Sequence, residues 1–298
     1  MKFLIIGASG FIGANVLAHV RSLGFEAVGT QSRPRQEGLV TFNLLHDRIV
    51  DCVGKPFFGG GDRVCVVICA VVSNMDQCLL DRENSHRVNV KQTIQLIQDV
   101  RGFDAKVIFL SSCFAFDGTR GYYNEEHPVS PVNEYARHKV EVEQYLQQNV
   151  PDAFIARLEK IVGDNPNERQ MFAQWHQLLL AGEPIVCIEG SLLSPTYVGD
   201  VAQAFVLAGD LNLAGVYHVS NSEFFYRDEL ARQFCYAMGR TPNAVTRPLQ
   251  EFNFPDKRAL KSYLDGSRFT QATGLRFTPM CQVFRAFRQR TLGPQGPG

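Results

Sequence analysis

No stretch of this sequence carries five or six like charges in succession, and its 30 basic and 30 acidic residues cancel to a formal net charge of zero. A chain without such a patch has no electrostatic footprint for nucleic acid or for an anionic membrane surface, so the expected partner is a small molecule. Nor is there a run of about twenty apolar residues, which argues against a membrane-spanning helix. The apolar start KFLIIGASGFIGANVLAHV is interrupted by glycines and begins too abruptly for the core of a secretory signal, so a cytoplasmic location is expected. The eight cysteines contain no C-x-x-C pair, and none stands at metal-ligand spacing from a histidine. They are expected to be reduced thiols without a metal site. Cys65 and Cys69 lie in an apolar run, where cysteine acts as a small hydrophobe.

What is present is an alternation. Apolar, strand-like runs KFLIIG, EAVGTQS, RVCVVICAV and KVIFLSS are separated by the helical patterns FIGANVLAHVRSLG and ENSHRVNVKQTIQLIQDVRG. Such a rhythm marks right-handed β-α-β units and predicts an α/β, doubly wound parallel Rossmann-type sheet. The glycines and prolines of DGTRGYYNEEHPVSPVN, residues 117–133, predict a loop over a cleft. A helix, EYARHKVEVEQYLQQN, and a strand, DAFIARLEKIVG, follow. At 298 residues the chain is long enough for two lobes. The dinucleotide-type domain is expected over 1–163, with a return segment near 195–221 that includes the strand GVYHVS. A smaller C-terminal substrate lobe is expected over 164–194 and 222–298, and the tail TLGPQGPG is expected to fray.

Two motifs carry chemistry. The strand KFLIIG runs into GASGFIG, which places glycines at 7, 10 and 13 where a helix should begin. Glycine lets backbone approach a pyrophosphate, and the helix N-terminus supplies N–H donors and positive dipole. Gly7, Ser9, Gly10, Phe11, Ile12 and Gly13 are therefore expected at a cofactor. After the second strand no carboxylate is available for a ribose hydroxyl. TQSRPR offers Arg33 and Arg35 instead, suited to a 2′-phosphate, so NADP(H) is preferred over NAD(H). Farther on, Tyr135 and Lys139 stand four apart on one helix face, where an ammonium could lower the phenol's pKa for proton transfer.

With SSCFAFDG at 111–118, GYYNEEHPVSPVNEYARHK at 121–139, SPTYVGDVA at 194–202, GVYHVSN at 215–221 and RALKSYLDGSRF at 258–269, the chain resembles the extended short-chain dehydrogenase/reductases. Within them it is similar to the dTDP-4-dehydrorhamnose reductase-like branch, over nearly its whole length. The resemblance implies a catalytic triad of Ser112, Tyr135 and Lys139, with Tyr135 as proton donor, Ser112 bonded to the carbonyl oxygen and Lys139 on the nicotinamide ribose. It also implies cofactor contacts at Ala70 and Asn89, Asn89 helping to hold the backbone. Substrate contacts are implied at Phe114, Arg157, Lys160, Pro195, Thr196 and Tyr197. The implied activity is reduction of a keto group on a nucleotide-linked sugar, with a homodimer as the assembly to consider.

Two departures from the branch stand out. RLEKIVG at 157–163 puts Lys160 where the reductases have tryptophan, leaving a diphosphate, a carboxylated sugar or solvent as its counterpart. ICAVVSNMD at 68–76 replaces the usual A-A-Y-T around the cofactor. A sugar 4,6-dehydratase would need an acid pair after Ser112, where Cys113 and Phe114 stand. A 4-epimerase holding NAD tightly and a non-catalytic NADP-binding regulatory subunit stay open as alternatives.

Overall fold

The computed structural model describes residues 1–292, and the last six residues of the tail expected to fray lie outside them. Seven strands form one parallel sheet in the spatial order Gly215–Val219, Phe154–Leu158, Lys106–Ser112, Val64–Ile68, Lys2–Ile6, Glu26–Gln31 and Val40–Thr41. The order reverses between Lys2–Ile6 and Val64–Ile68. At such a switch point the loops leaving the strand ends part, and a crevice opens outside the carboxyl edge.

The sheet is covered on both faces, which is why its inner strands read as continuous apolar runs rather than alternating ones. Phe3 and Ile5 point to one side, where Val16 and Val20 from the Phe11–Ser22 helix meet Val201 and Phe205 from the Val198–Asp210 helix. Leu4 and Ile6 point to the other, against Leu96 and Ile97 from the Thr93–Arg101 helix and Val142 and Leu146 from the Glu134–Asn149 helix. A third core lies beyond the sheet. It joins Phe172 and Trp175 of the Met171–Ala181 helix to Phe234 of the Arg227–Ala237 helix and to Phe284 and Phe287 of the Met280–Leu292 helix. The Phe234 ring stacks on Phe172 at 5.3 Å between centroids and meets Phe287 edge-on at 5.4 Å.

Two elements differ from their sequence patterns in ways that build the site. DAFIARLEKIVG is not one strand. Phe154–Leu158 stays in the sheet, whereas Ile161–Val162 leaves it to pair in parallel with Thr196–Tyr197. Glu159 and Lys160 form the break between them. The helical pattern of 83–102 also changes pitch, passing through a π-turn at Arg87–Gln92 before Thr93–Arg101 resumes α geometry. Single π-turns inside helices recur at functional sites, and this one contains Asn89. Among the described residues no helix is long and apolar enough to cross a membrane, and all eight cysteines are free thiols.

Candidate active site

The glycine turn is shaped by contacts that only glycine permits. Gly7 has φ of +85°, and a Cβ there would stand 2.9 Å from the Ala70 nitrogen; at Gly13 it would stand 2.4 Å from the Gly7 oxygen. The turn is held at a side-chain level too, because Gly7 N donates to Thr30 Oγ1 at 3.1 Å. It opens the Phe11–Ser22 helix, whose N-cap is Gly10 and whose cap carries no side-chain hydrogen bond. First-turn N–H groups left without side-chain acceptors are the feature an anionic diphosphate uses.

Cavities lie on both sides of this turn. One, of about 470 Å³, is lined by Gly7, Ser9, Gly10, Thr30, Ser32, Arg33 and Ala70 among others. Arg33 is there and Arg35 is not. Gln31, at the position where a ribose-binding carboxylate would be sought, is buried with its amide committed to the following loop. Its Oε1 accepts from Arg35 N at 3.0 Å and Gln36 N at 2.9 Å, while its Nε2 donates to the Gln36 oxygen at 2.8 Å. The second cavity, about 320 Å³, runs from Gly7, Gly10, Phe11, Ile12 and Gly13 to Ser112, Tyr135 and Lys139. The two share Gly7, Gly10, Cys69 and Val71, so most of the residues expected at a dinucleotide, though not Arg35 or Asn89, line one trough across the turn.

Ser112 ends the strand Lys106–Ser112, and its Oγ accepts from Phe114 N at 3.2 Å, which caps a short 3₁₀ turn. Tyr135 and Lys139 occupy the first two turns of the Glu134–Asn149 helix. That helix starts at Asn133, whose buried side chain accepts from Ala136 N at 2.9 Å and donates to the Lys257 oxygen at 3.3 Å. Lys139 Nζ donates to the Leu110 oxygen at 2.6 Å and lies 4.7 Å from the Phe109 ring centre. Burial lowers its pKa from 10.5 to about 8. The expectation that Lys139 would lower the Tyr135 pKa is not met in this geometry. Burial pushes the Tyr135 phenol up, with Cys113 and Cys78 adding to the rise.

Several other expected site residues are placed elsewhere. Asn89 does not line either cavity of the trough. Its Oδ1 accepts from Val72 N at 2.8 Å and its Nδ2 donates to the Val72 oxygen at 3.0 Å, so it fixes the loop that forms part of the trough wall. Arg157 is buried in an ion pair with Glu143, at 2.6 Å, which also accepts from Ser111; its guanidinium lies 5.0 Å from the Phe116 ring centre. Pro195, Thr196 and Tyr197 are likewise absent from the cavity walls, because Thr196 and Tyr197 are committed to the ladder with Ile161 and Val162. The preceding residues Ser191, Leu192 and Leu193 take that place. Residues 117–133 form an irregular segment that lines none of these cavities, and within it Tyr123 stacks on Phe116 at 4.3 Å in a small core.

A third cavity, about 540 Å³, continues from Ser112 and Tyr135 toward the third core. Phe114 and Lys160 line it, together with residues that sequence reasoning did not single out: Glu159, Arg227, Arg258 and Ser262. Arg258 is paired with Asp76 at 2.6 Å. Burial raises the Glu159 carboxyl from 4.5 to about 7, against the lowering effect of the Lys160 and Ser194 backbone N–H donors. Desolvation, and then the charge of Arg227, hold the Lys160 ammonium below the lysine range, although the residue as a whole is exposed. The signal available was the charged pair Glu159–Lys160 directly after an apolar strand, of which only the lysine stood out.

Residues 1–290 match the family described as RmlD substrate binding domain. The chain belongs to that family. A protein of Haloferax volcanii described as probable low-salt glycan biosynthesis reductase Agl14 is 25% identical, covering 90% of this chain and 90% of the relative. Methionine adenosyltransferase 2 subunit beta of Xenopus tropicalis is 26% identical, covering 84% of this chain and 75% of the relative. In fold, the dTDP-4-dehydrorhamnose reductase of Bacillus anthracis, solved in complex with NADP, superposes with a TM-score of 0.84 at 21% identity, covering 96% and 99% of the two chains. The RmlD match takes in the trough and the third cavity.

Proposed function

We propose that this RmlD-family chain is an NADP(H)-dependent oxidoreductase of the extended short-chain dehydrogenase/reductase type that reduces a keto group on a nucleotide-linked sugar. The observation that carries this reading is the shared cavity: Ser112, Tyr135 and Lys139, distant in sequence from the glycine turn, line one space with Gly7, Gly10 and Gly13. NADPH, when bound, supplies the hydride. Ser112 and Tyr135 both border the third cavity as well, so a carbonyl entering from that side meets a hydroxyl and a phenol together. Tyr135 is the proton donor, and its raised pKa keeps the phenol protonated and able to give up that proton only as charge develops on the oxygen. Lys139 positions the nicotinamide ribose. Arg33 supports NADP over NAD, since its guanidinium can pair with a 2′-phosphate while Gln31 is already committed.

The likeness to methionine adenosyltransferase 2 subunit beta favours a second reading, in which this chain is a non-catalytic regulatory subunit that binds NADP. One experiment separates the two. Purified protein is mixed with NADPH and a panel of nucleotide-linked 4-keto-6-deoxy sugars, and loss of NADPH absorbance is followed. Oxidation by the wild type that falls about 10²- to 10⁴-fold in Tyr135→Phe supports the reductase. Binding of NADPH with no oxidation across the panel supports the subunit.

A further inference from the structure

Glu159 sits at the carboxyl end of the strand Phe154–Leu158, where the chain leaves the sheet, and it lines both the 320 Å³ and the 540 Å³ cavities beside Ser112, Tyr135 and Ile161. Its two oxygens are treated unequally by the protein. Oε2 accepts from Lys160 N at 2.5 Å and from Ser194 N at 3.0 Å. Among the described residues, Oε1 has only the Ser262 hydroxyl at 3.5 Å and the Cys113 thiol at 3.9 Å. A carboxyl group offers about four acceptor positions, and this half-buried one has its two close donors on Oε2 alone. The backbone therefore fixes the orientation of this group and leaves Oε1 free to accept from whatever fills the cavity.

We propose that Glu159 reads the substrate: its Oε1 accepts a hydrogen bond from a sugar hydroxyl near the reacting carbonyl, so the site takes a sugar that retains this hydroxyl over its deoxy counterpart. The proposal rests on the nucleotide-sugar reading above and narrows it. A hydroxyl fits better than an ammonium, because Lys160 and Arg227 line the same cavity and oppose a further positive charge. Glu159 and Tyr135 line both cavities and so mark their junction, whereas Lys160 and Arg227 line only the larger one. A site built to bond a hydroxyl rejects the analogue lacking it far more strongly than an apolar pocket discriminates by size.

The test is calorimetric binding to NADP-loaded protein of two nucleotide sugars that differ by one sugar hydroxyl, for wild type, Glu159→Gln and Glu159→Leu, with circular dichroism as a check on folding. The wild type is expected to prefer the hydroxylated ligand at least about tenfold, Glu159→Gln to keep part of that preference through its amide oxygen, and Glu159→Leu to lose it. Since the carboxyl titrates near 7, the wild-type preference should rise with pH through that region and stay flat in Glu159→Gln. Equal binding of both sugars by the wild type, or full preference in Glu159→Leu, overturns the assignment while leaving the reductase reading in place. Preference without NADPH oxidation supports Glu159 and counts against the reductase. Failure of both sugars to bind overturns the two together.

Discussion

Lys139 is held at 5% exposure by a carbonyl and an aromatic face, and among the described residues no carboxylate pairs with it. Desolvation therefore governs its titration, and the sign follows from where the protons are. Between about 8 and 10.5 the unfolded chain binds more protons than the folded one, so this residue's penalty is fully present at neutral pH and disappears as pH rises through that window. Replacing it with methionine should flatten the rise, and the gap in unfolding free energy between wild type and Lys139→Met, measured by denaturant titration, should change between pH 8 and pH 10. Arg33 makes a prediction of another kind. Paired with a 2′-phosphate, its guanidinium is worth a charge-assisted hydrogen bond, so Arg33→Ala should weaken NADP by roughly tenfold or more and leave NAD nearly unchanged in a thermal-shift titration. Equal losses for both dinucleotides would remove Arg33 from the phosphate site.

At the scale of elements, the Glu134–Asn149 helix matters because it carries Tyr135 into the cavity, and its start is fixed by Asn133. Asn133→Ala removes the cap and the bond that ties the helix start to the Lys257 carbonyl. The cost should be about 1–2 kcal/mol in thermal unfolding, with a loss of turnover larger than the loss of cofactor affinity, because the helix start moves and the glycine turn does not. Much of this layout is legible in the sequence. Continuous apolar strands, the glycine spacing and the position of Tyr135 and Lys139 follow from local pattern alone, since each depends on chemistry within a few residues. The break at Glu159–Lys160 does not, because it is produced by pairing with Thr196–Tyr197, 35 residues away along the chain. The same long-range pairing took Pro195, Thr196 and Tyr197 off the cavity wall. Arg157 was misread for a related reason: its partner, Glu143, comes from another element, and an isolated arginine on a strand does not reveal whether its charge is already met. The π-turn at Asn89 is equally silent in a helical pattern, because the periodicity of apolar residues survives one wider turn.

At the scale of the molecule, two cores cover the sheet and a third stands beyond it, with the 540 Å³ cavity bordered by both the sheet's edge and that third core's elements. Phe234 is fully buried among Phe172, Trp175, Phe284 and Phe287. Phe234→Ala should cost about 3–5 kcal/mol through lost burial and the cavity left behind. Its effect should appear first in the substrate cavity, so affinity for a nucleotide sugar should fall more than affinity for NADP, as compared by calorimetry below the unfolding transition. Trp175, the chain's single tryptophan, belongs to this core, and the Arg227 guanidinium lies 5.9 Å from its ring centre while also lining the cavity. The indole is thus a built-in optical gauge: an anion that draws on Arg227 alters the field across the ring, and the colour of its emission reports occupancy of the sugar side without any label.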